Sequence, residues 1–218
     1  MTPIIQALWA AEAAEDLIRD TVTGSIDTEE SSGSITLPIF EAGDKVLLFL
    51  RLASGTATIH EPTGWEIVRQ VSDSGNSAVL SRVMEAGDPG SVTVEWGLET
   101  TLRRSAWTAY AFPGAPAVEQ AAAPISPPTI TPSWGEEETT FISFVANRTS
   151  NQVWTPPTNY GDMLTGSNGY DTSTAYARAT TAHRTVVAAS ETPGVWTLDA
   201  GTVASEHYYT IAVRTGAA

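Results

Sequence analysis

The sequence predicts an all-β protein of two tandem, repeated antiparallel β-sandwich units, preceded by a short N-terminal arm that is helical or extended. The motif PTGW at residues 62–65 returns as PTNY at residues 157–160, an offset of 95 (157 − 62). The apolar run at residues 46–50 falls on that at residues 141–145 with the same offset, which indicates a duplicated unit. Short strand-like runs between frequent turns, without helical periodicity, are typical of a sandwich or barrel.

Composition excludes several classes of function. The chain has no Cys, so disulfides, thiolate metal sites and thiol nucleophiles are excluded. Its 25 Asp and Glu against 11 Lys and Arg give a net charge of −14, and such a chain repels nucleic acid and anionic membranes. The sequence has neither a run of apolar residues long enough to span a bilayer nor the basic start of a secretory signal. We therefore expect synthesis in the cytosol, with no nucleic-acid partner and no membrane insertion.

The N-terminal arm, residues 1–33, differs from the rest of the chain. Residues 1–20 carry the one good helical pattern, which starts at Thr2-Pro3 with proline at the first helical position. A short strand over residues 4–8 followed by a shorter helix is the alternative. Residues 21–33 are polar and predict a loop or linker. We expect the arm either to pack on its own domain or to dock on a partner, and in the second case the predicted contacts are Ile4, Ile5, Leu8 and Trp9.

The first repeat, residues 34–116, alternates strand and turn patterns. The apolar run at residues 46–50 predicts a strand that is buried on both faces. Gly64 and its counterpart Asn159 both tolerate positive φ, so we expect a left-handed turn position before the aromatic residue that opens a strand. The predicted strands are residues 34–37, 46–50, 56–60, 65–71, 78–84, 92–96 and 107–112.

The second repeat, residues 117–218, follows the same plan after an Ala- and Pro-rich crossover at residues 121–132. Its predicted strands include residues 141–146, 174–179 and 209–214. The Pro-Gly pair at residues 89–90 returns at residues 193–194, so the offset has grown to 104 (193 − 89), and loops between repeats tolerate such insertions. Two arrangements fit: each unit is a complete sandwich in its own lobe, which we favour, or each unit supplies one sheet of a single larger sandwich.

No residue pattern indicates catalysis, a cofactor or a metal ion. His60, His183 and His207 lie far apart without metal-ligand spacing, and no GxSxG motif is present. Carboxylates are frequent in predicted loops, where they suit solvated turns, and calcium binding there is the alternative.

Tryptophan is the residue type that suggests a ligand, because exposed aromatic faces stack on sugars. Trp65, Trp96 and Trp107 fall inside or at the start of predicted strands and are better explained as core. Trp134 and Trp154 lie beside loops, so they are the candidates for contact with a glycan.

The turn motifs resemble a duplicated β-rich family of tailed-bacteriophage virion proteins. The likeness rests on Gly43-Asp44, on the motifs at residues 62–65 and 157–160, and on PTITPSWG at residues 128–135, and it covers about residues 31–218. It implies a non-enzymatic virion component, either a head decoration or spike or a tail-associated protein, and it carries over no catalytic residue.

The resulting hypothesis is a virion structural protein, exposed on the particle and docked through its N-terminal region. Its expected partners are other virion proteins of the capsid or tail and further copies of itself, with synthesis in the host cytoplasm. The alternative is a receptor- or glycan-binding adhesion module that binds a host surface glycan. An enzyme acting on polysaccharide is a third possibility.

Overall fold

The computed structural model describes residues 17–53, 57–72, 75–97, 103–123, 125–148, 153–168, 176–199 and 206–215. All regular secondary structure in these ranges is β-strand, which confirms the predicted all-β class. Over the same residues, no helix of a length and hydropathy suited to crossing a membrane is found. The predicted docking residues Ile4, Ile5, Leu8 and Trp9 lie outside the described residues.

The first half of the chain forms one five-stranded antiparallel sheet and one two-stranded sheet. The five-stranded sheet has the order β1-β7-β3-β5-β4, and β2 pairs with β6 separately. The central strand β3 is buried along nearly its whole length because both of its faces are covered, as its continuous apolar run predicts. The strands are β1 (Asp20–Glu30), β2 (Ser32–Thr36), β3 (Lys45–Leu52), β4 (Glu66–Ser72), β5 (Asn76–Val83), β6 (Ser91–Glu95) and β7 (Arg103–Phe112).

The second half repeats this arrangement. Its five-stranded sheet, read from β8, has the order β8-β14-β9-β12-β11, which matches β1-β7-β3-β5-β4 strand for strand, and β10 pairs with β13 as a second small sheet. The shared strand order is compatible with the internal repeat in the sequence. The strands are β8 (Val118–Ala123), β9 (Glu137–Asn147), β10 (Trp154–Thr155), β11 (Gly161–Ser167), β12 (Arg178–Ala188), β13 (Thr197–Leu198) and β14 (His207–Arg214).

The four sheets form four layers, with the two five-stranded sheets in the middle and a two-stranded sheet on the outer side of each. Three hydrophobic cores lie between these layers. The two five-stranded sheets face each other across a central core, in which the ring centroids of Phe49 and Phe144 lie 5.2 Å apart. On the outer side of the first sheet, Trp96 and Trp107 belong to a second core with the β2–β6 sheet. A third core lies between the second sheet and the β10–β13 sheet. Each half thus has a core of its own, and the halves also share the central core, so they are not separate lobes.

Three local predictions are wrong. The polar stretch at residues 21–33, predicted as a loop, contains β1, which lies at a sheet edge, pairs only with β7 and needs few apolar side chains. The predicted crossover at residues 121–132 begins inside β8, also an edge strand. Of the strand predicted at residues 56–60, the described residues 57–60 form a bridge between Ile59 and Trp96 and no strand. The first sheet therefore begins at Asp20 and not after the predicted arm.

The sandwich has two distinct ends. At the end that we call the lower end, the chain enters β1 and leaves β14, close to the turn that precedes β3. Arg19 is fixed there, because its Nε donates to Asp44 Oδ2 at 2.5 Å and its backbone N–H donates to Ala111 O at 2.8 Å. At the same end Arg214, which lines a pocket with Leu17, is fixed by two hydrogen bonds to Glu137, of 2.5 and 2.8 Å. At the opposite, upper end β3 finishes and β5 and β14 start.

Candidate functional site

The repeated turn has the same geometry in both halves. Gly64 has φ of 79° and Asn159 has φ of 70°, which confirms the predicted left-handed position. The backbone N–H of Trp65 donates to Pro62 O, and that of Tyr160 donates to the matching proline oxygen, both at 3.0 Å. Both aromatic side chains are buried. The turn therefore directs an aromatic residue into each outer core.

An arginine supports each of these turns. Arg82 pairs with Asp88 at 2.5 Å. A Cβ added to Gly64 would lie 3.2 Å from Nη1 of Arg82, so this arginine lies against the turn. In the second half Arg184 lies 3.5 Å from Glu191 and 6.0 Å from the centre of the Tyr160 ring. Burial, followed by the neighbouring Glu191, raises the pKa of Tyr160 above its ordinary value. Each of these arginines therefore already has a partner within this chain.

A cleft of about 570 Å³ opens beside β6 in the first half, and we call it the β6 cleft. Its floor is apolar and consists of the buried side chains of Leu37, Trp65 and Met84. Its rim is polar and carries the exposed residues Glu61 and Glu95. An apolar floor with a few polar groups at the rim is typical of a binding site, and the volume falls in the usual range of roughly 300–1,000 Å³.

One wall of the β6 cleft is a free strand edge. The backbone N–H of Trp96 donates to Ser31 O at 2.8 Å, beside β2, whereas Glu95 O accepts from His60 N–H at 2.9 Å on the other side. Because backbone groups of successive strand residues point to alternate sides, those of Ser91 and Thr93 point away from β2 and toward the cleft. Among the described residues they have no backbone partner there. The cleft therefore offers hydrogen-bonding groups of the main chain.

A second cluster resembles a nucleophile with its base, but it is buried. Ser77 Oγ lies 2.6 Å from His207 Nδ1 and 2.8 Å from Tyr209 OH, and Arg51 Nη1 lies 3.0 Å from the same histidine nitrogen. Arginine only donates, so this Nδ1 accepts, and a hydroxyl beside it is arranged as in serine nucleophiles. All four side chains are buried between the two sheets, where no substrate reaches Ser77. The cluster therefore links the sheets. Sequence spacing gave no signal for it, because Ser77 and His207 are 130 residues apart.

We expect Ser77→Ala to lower the free energy of unfolding by about 1–3 kcal/mol, because it removes two buried hydrogen bonds, one to His207 Nδ1 and one to Tyr209 OH. Ser81→Ala is the matched control in the same strand, and it should cost clearly less, since no hydrogen bond of the Ser81 side chain is seen among the described residues. Urea unfolding of both variants measures the difference. Equal losses would contradict a role for Ser77 in linking the sheets.

The predicted glycan contacts are placed differently from the expectation. Trp154, only 4% exposed, packs edge-on against Trp196 with ring centroids 6.3 Å apart, so the prediction of an exposed stacking face is wrong for this residue. The signal missed was its repeat mate Ile59, an apolar residue at the equivalent position (154 − 59 = 95). Trp134 is half-buried and donates from Nε1 to Thr139 Oγ1 at 3.0 Å, and its role as a sugar contact stays a prediction.

The histidines are not brought together. His60 lines the β6 cleft, His183 Nε2 lies 3.7 Å from Asp162 Oδ2, and His207 belongs to the buried cluster. In the part of the chain that the structure describes, no three His, Asp or Glu side chains are grouped so that they could hold a metal ion. The calcium alternative therefore has no cluster of three carboxylates to support it among these residues.

Comparison with known proteins adds no relative to this description. No protein-family model, no curated protein and no solved structure matches the chain.

Proposed function

We propose that the protein is a non-enzymatic structural component of a bacteriophage virion, exposed on the particle and docked through its N-terminal region. The observation that supports this most is that the two ends of the sandwich differ, because the chain enters the fold at the lower end. Residues 1–16 precede Arg19 in the chain, and Arg19 is held at the lower end by Asp44 and Glu41. A segment attached at such a fixed point positions the whole sandwich relative to whatever that segment binds.

The lower and upper ends suit different roles in this proposal. The ion pair of Arg19 braces the lower end of the first sheet and that of Arg214 the lower end of the second, so a load applied to the N-terminal segment passes through Arg19 into the first sheet. The upper end, on the far side of the central core, is then directed away from the docking surface. A rigid body with one attached end and one presented end is the arrangement expected of a decoration or spike.

The chemistry of the described residues also favours a structural role over an enzymatic one. The Ser77 and His207 pair is sealed between the sheets, and the arginines beside the repeated turns are paired with the chain's own carboxylates. The net charge of −14 disfavours contact with nucleic acid. A surface position on a particle, with capsid or tail proteins and further copies as partners, is consistent with these features.

Deletion of residues 1–16 tests this proposal. The cut precedes Arg19 and β1, so the sandwich should unfold at the same urea concentration as the full chain, while incorporation into particles should be lost. The measurement is co-sedimentation of the purified chain with phage particles assembled without it. Deletion of residues 216–218 is the control at the other terminus and should leave incorporation unchanged. Incorporation of the chain that lacks residues 1–16 would contradict docking through that segment.

A further inference from the structure

The two repeats differ at the β6 cleft. A Cβ added to Gly194 would lie 3.6 Å from the Pro157 side chain, so the segment that carries this glycine packs directly on the repeated turn of the second half. In the first repeat the matching turn residues Pro62 and Thr63 line the open β6 cleft instead. The second repeat thus covers with its own chain a position that the first repeat leaves open.

The difference in length can be located from the strand pairing. Ile35 pairs with Val92 and Ile59 with Trp96, which leaves an interval of four residues (96 − 92). The residues 95 positions later, Ile130 and Trp154, pair with Glu191 and Leu198, an interval of seven (198 − 191). The second repeat therefore has three more residues in this segment (7 − 4).

The longer segment fills the second outer core with an aromatic side chain. Trp196 lies within it, is only 3% exposed, and donates from Nε1 to Ser143 Oγ at 2.9 Å. It packs edge-on against Trp154. The first repeat lacks these residues and has the open β6 cleft, with its apolar floor, beside the shorter segment.

We propose that the β6 cleft binds an extended segment of another protein chain that carries a large aromatic side chain. The aromatic residue covers Leu37, Trp65 and Met84, while the main chain of the segment pairs with Ser91 and Thr93 at the free edge of β6. Addition of a strand to an exposed sheet edge takes its affinity from main-chain hydrogen bonds and its specificity from side-chain pockets.

Charge further defines the partner segment. Arg82 is already paired with Asp88, and among the described residues no ion pair is seen for the exposed rim carboxylates of Glu61 and Glu95. Glu61 also accepts a hydrogen bond from the backbone N–H of Ile67, which holds its carboxylate in place. A basic residue next to the aromatic one therefore fits this rim. The proposal is independent of docking through the N-terminal region, because the residues that line the cleft lie between positions 37 and 95.

A peptide that copies the longer segment of the second repeat is the probe. It has the sequence KTPGVWTL, which is residues 192–198 of this chain preceded by lysine. Titrated into the full protein to about 1 mM and followed by amide chemical shifts, it should bind saturably and perturb Ser91 and Thr93. The same peptide with alanine in place of tryptophan should bind at least about tenfold more weakly, since the aromatic anchor is expected to dominate the affinity.

Protein variants identify the binding place. Thr93→Pro removes the N–H that faces the cleft and leaves the bonds to β2, so it should abolish peptide binding. Thr93→Ala keeps that N–H and is the matched control, with binding as in the unchanged protein. Val92→Trp places an indole in the cleft and should also abolish binding, which keeps the test valid if Thr93→Pro fails to fold.

Several outcomes would overturn the proposal. They are the absence of saturable binding of the peptide, equal binding of its alanine form, and normal binding by folded Thr93→Pro and Val92→Trp. Binding of an oligosaccharide panel in the cleft, with no binding of the peptide, would overturn it in favour of a glycan ligand.

Discussion

Gly166→Ala should lower the free energy of unfolding by about 3 kcal/mol or more, at the upper end of the cost of overpacking. A Cβ at this position in β11 would lie 2.2 Å from Trp107 O and 2.7 Å from Gly24 O. Both neighbours are main-chain atoms of the first sheet, so no side chain can rotate away to make room. The added methyl group must therefore push the two five-stranded sheets apart where β11 meets β1 and β7.

Gly161→Ala in the same strand is the matched control. Gly161 is exposed, and nothing lies within 4 Å of its added Cβ. This substitution should change stability by no more than about 0.5 kcal/mol, as is usual for surface positions. Urea unfolding of the two variants side by side gives the comparison. If Gly166→Ala were as stable as its control, the close approach of the sheets at this corner would be refuted.

The contact at Gly166 illustrates which part of the fold the sequence can predict. Strands with strong local signals were predicted, such as β3, whose continuous apolar run requires cover on both faces. The positive φ of Gly64 and Asn159 was also predictable, because the two residue types share one local property. A glycine at which two sheets touch has no such local signal, since the constraint comes from a strand of the other sheet.

Edge strands and the buried polar cluster escaped prediction for related reasons. The sequence of β1 predicts a loop because it is mostly polar. A strand at a sheet edge, paired on one side only, can be polar along most of its length. Ser77 and His207 become neighbours only because their sheets face each other, so their spacing in the chain carries no information. The β6 cleft became visible only by comparison of the two folded repeats, in which segments of unequal length meet equivalent turns.

Trp154→Ala should lower the free energy of unfolding by about 3–5 kcal/mol, the usual cost of removing a large aromatic side chain from a core. Trp154 belongs to the outer core of the second half with Phe141, Trp196 and Tyr208. Residues 153–155 cannot easily collapse into the resulting cavity, because Trp154 and Thr155 pair with Leu198 and Thr197. The loss should appear in urea unfolding, irrespective of any ligand.

Two further substitutions separate this core role from a role in sugar binding. Trp154→Phe keeps most of the apolar volume and removes an Nε1 that has no hydrogen-bond partner among the described residues, so it should cost clearly less than the alanine variant. Trp134→Ala removes a half-buried ring at another place, and a smaller loss is expected there. A folded, fully stable Trp154→Ala protein that had lost affinity for a glycan would reverse the assignment, because it would require the ring to face solvent instead of Trp196.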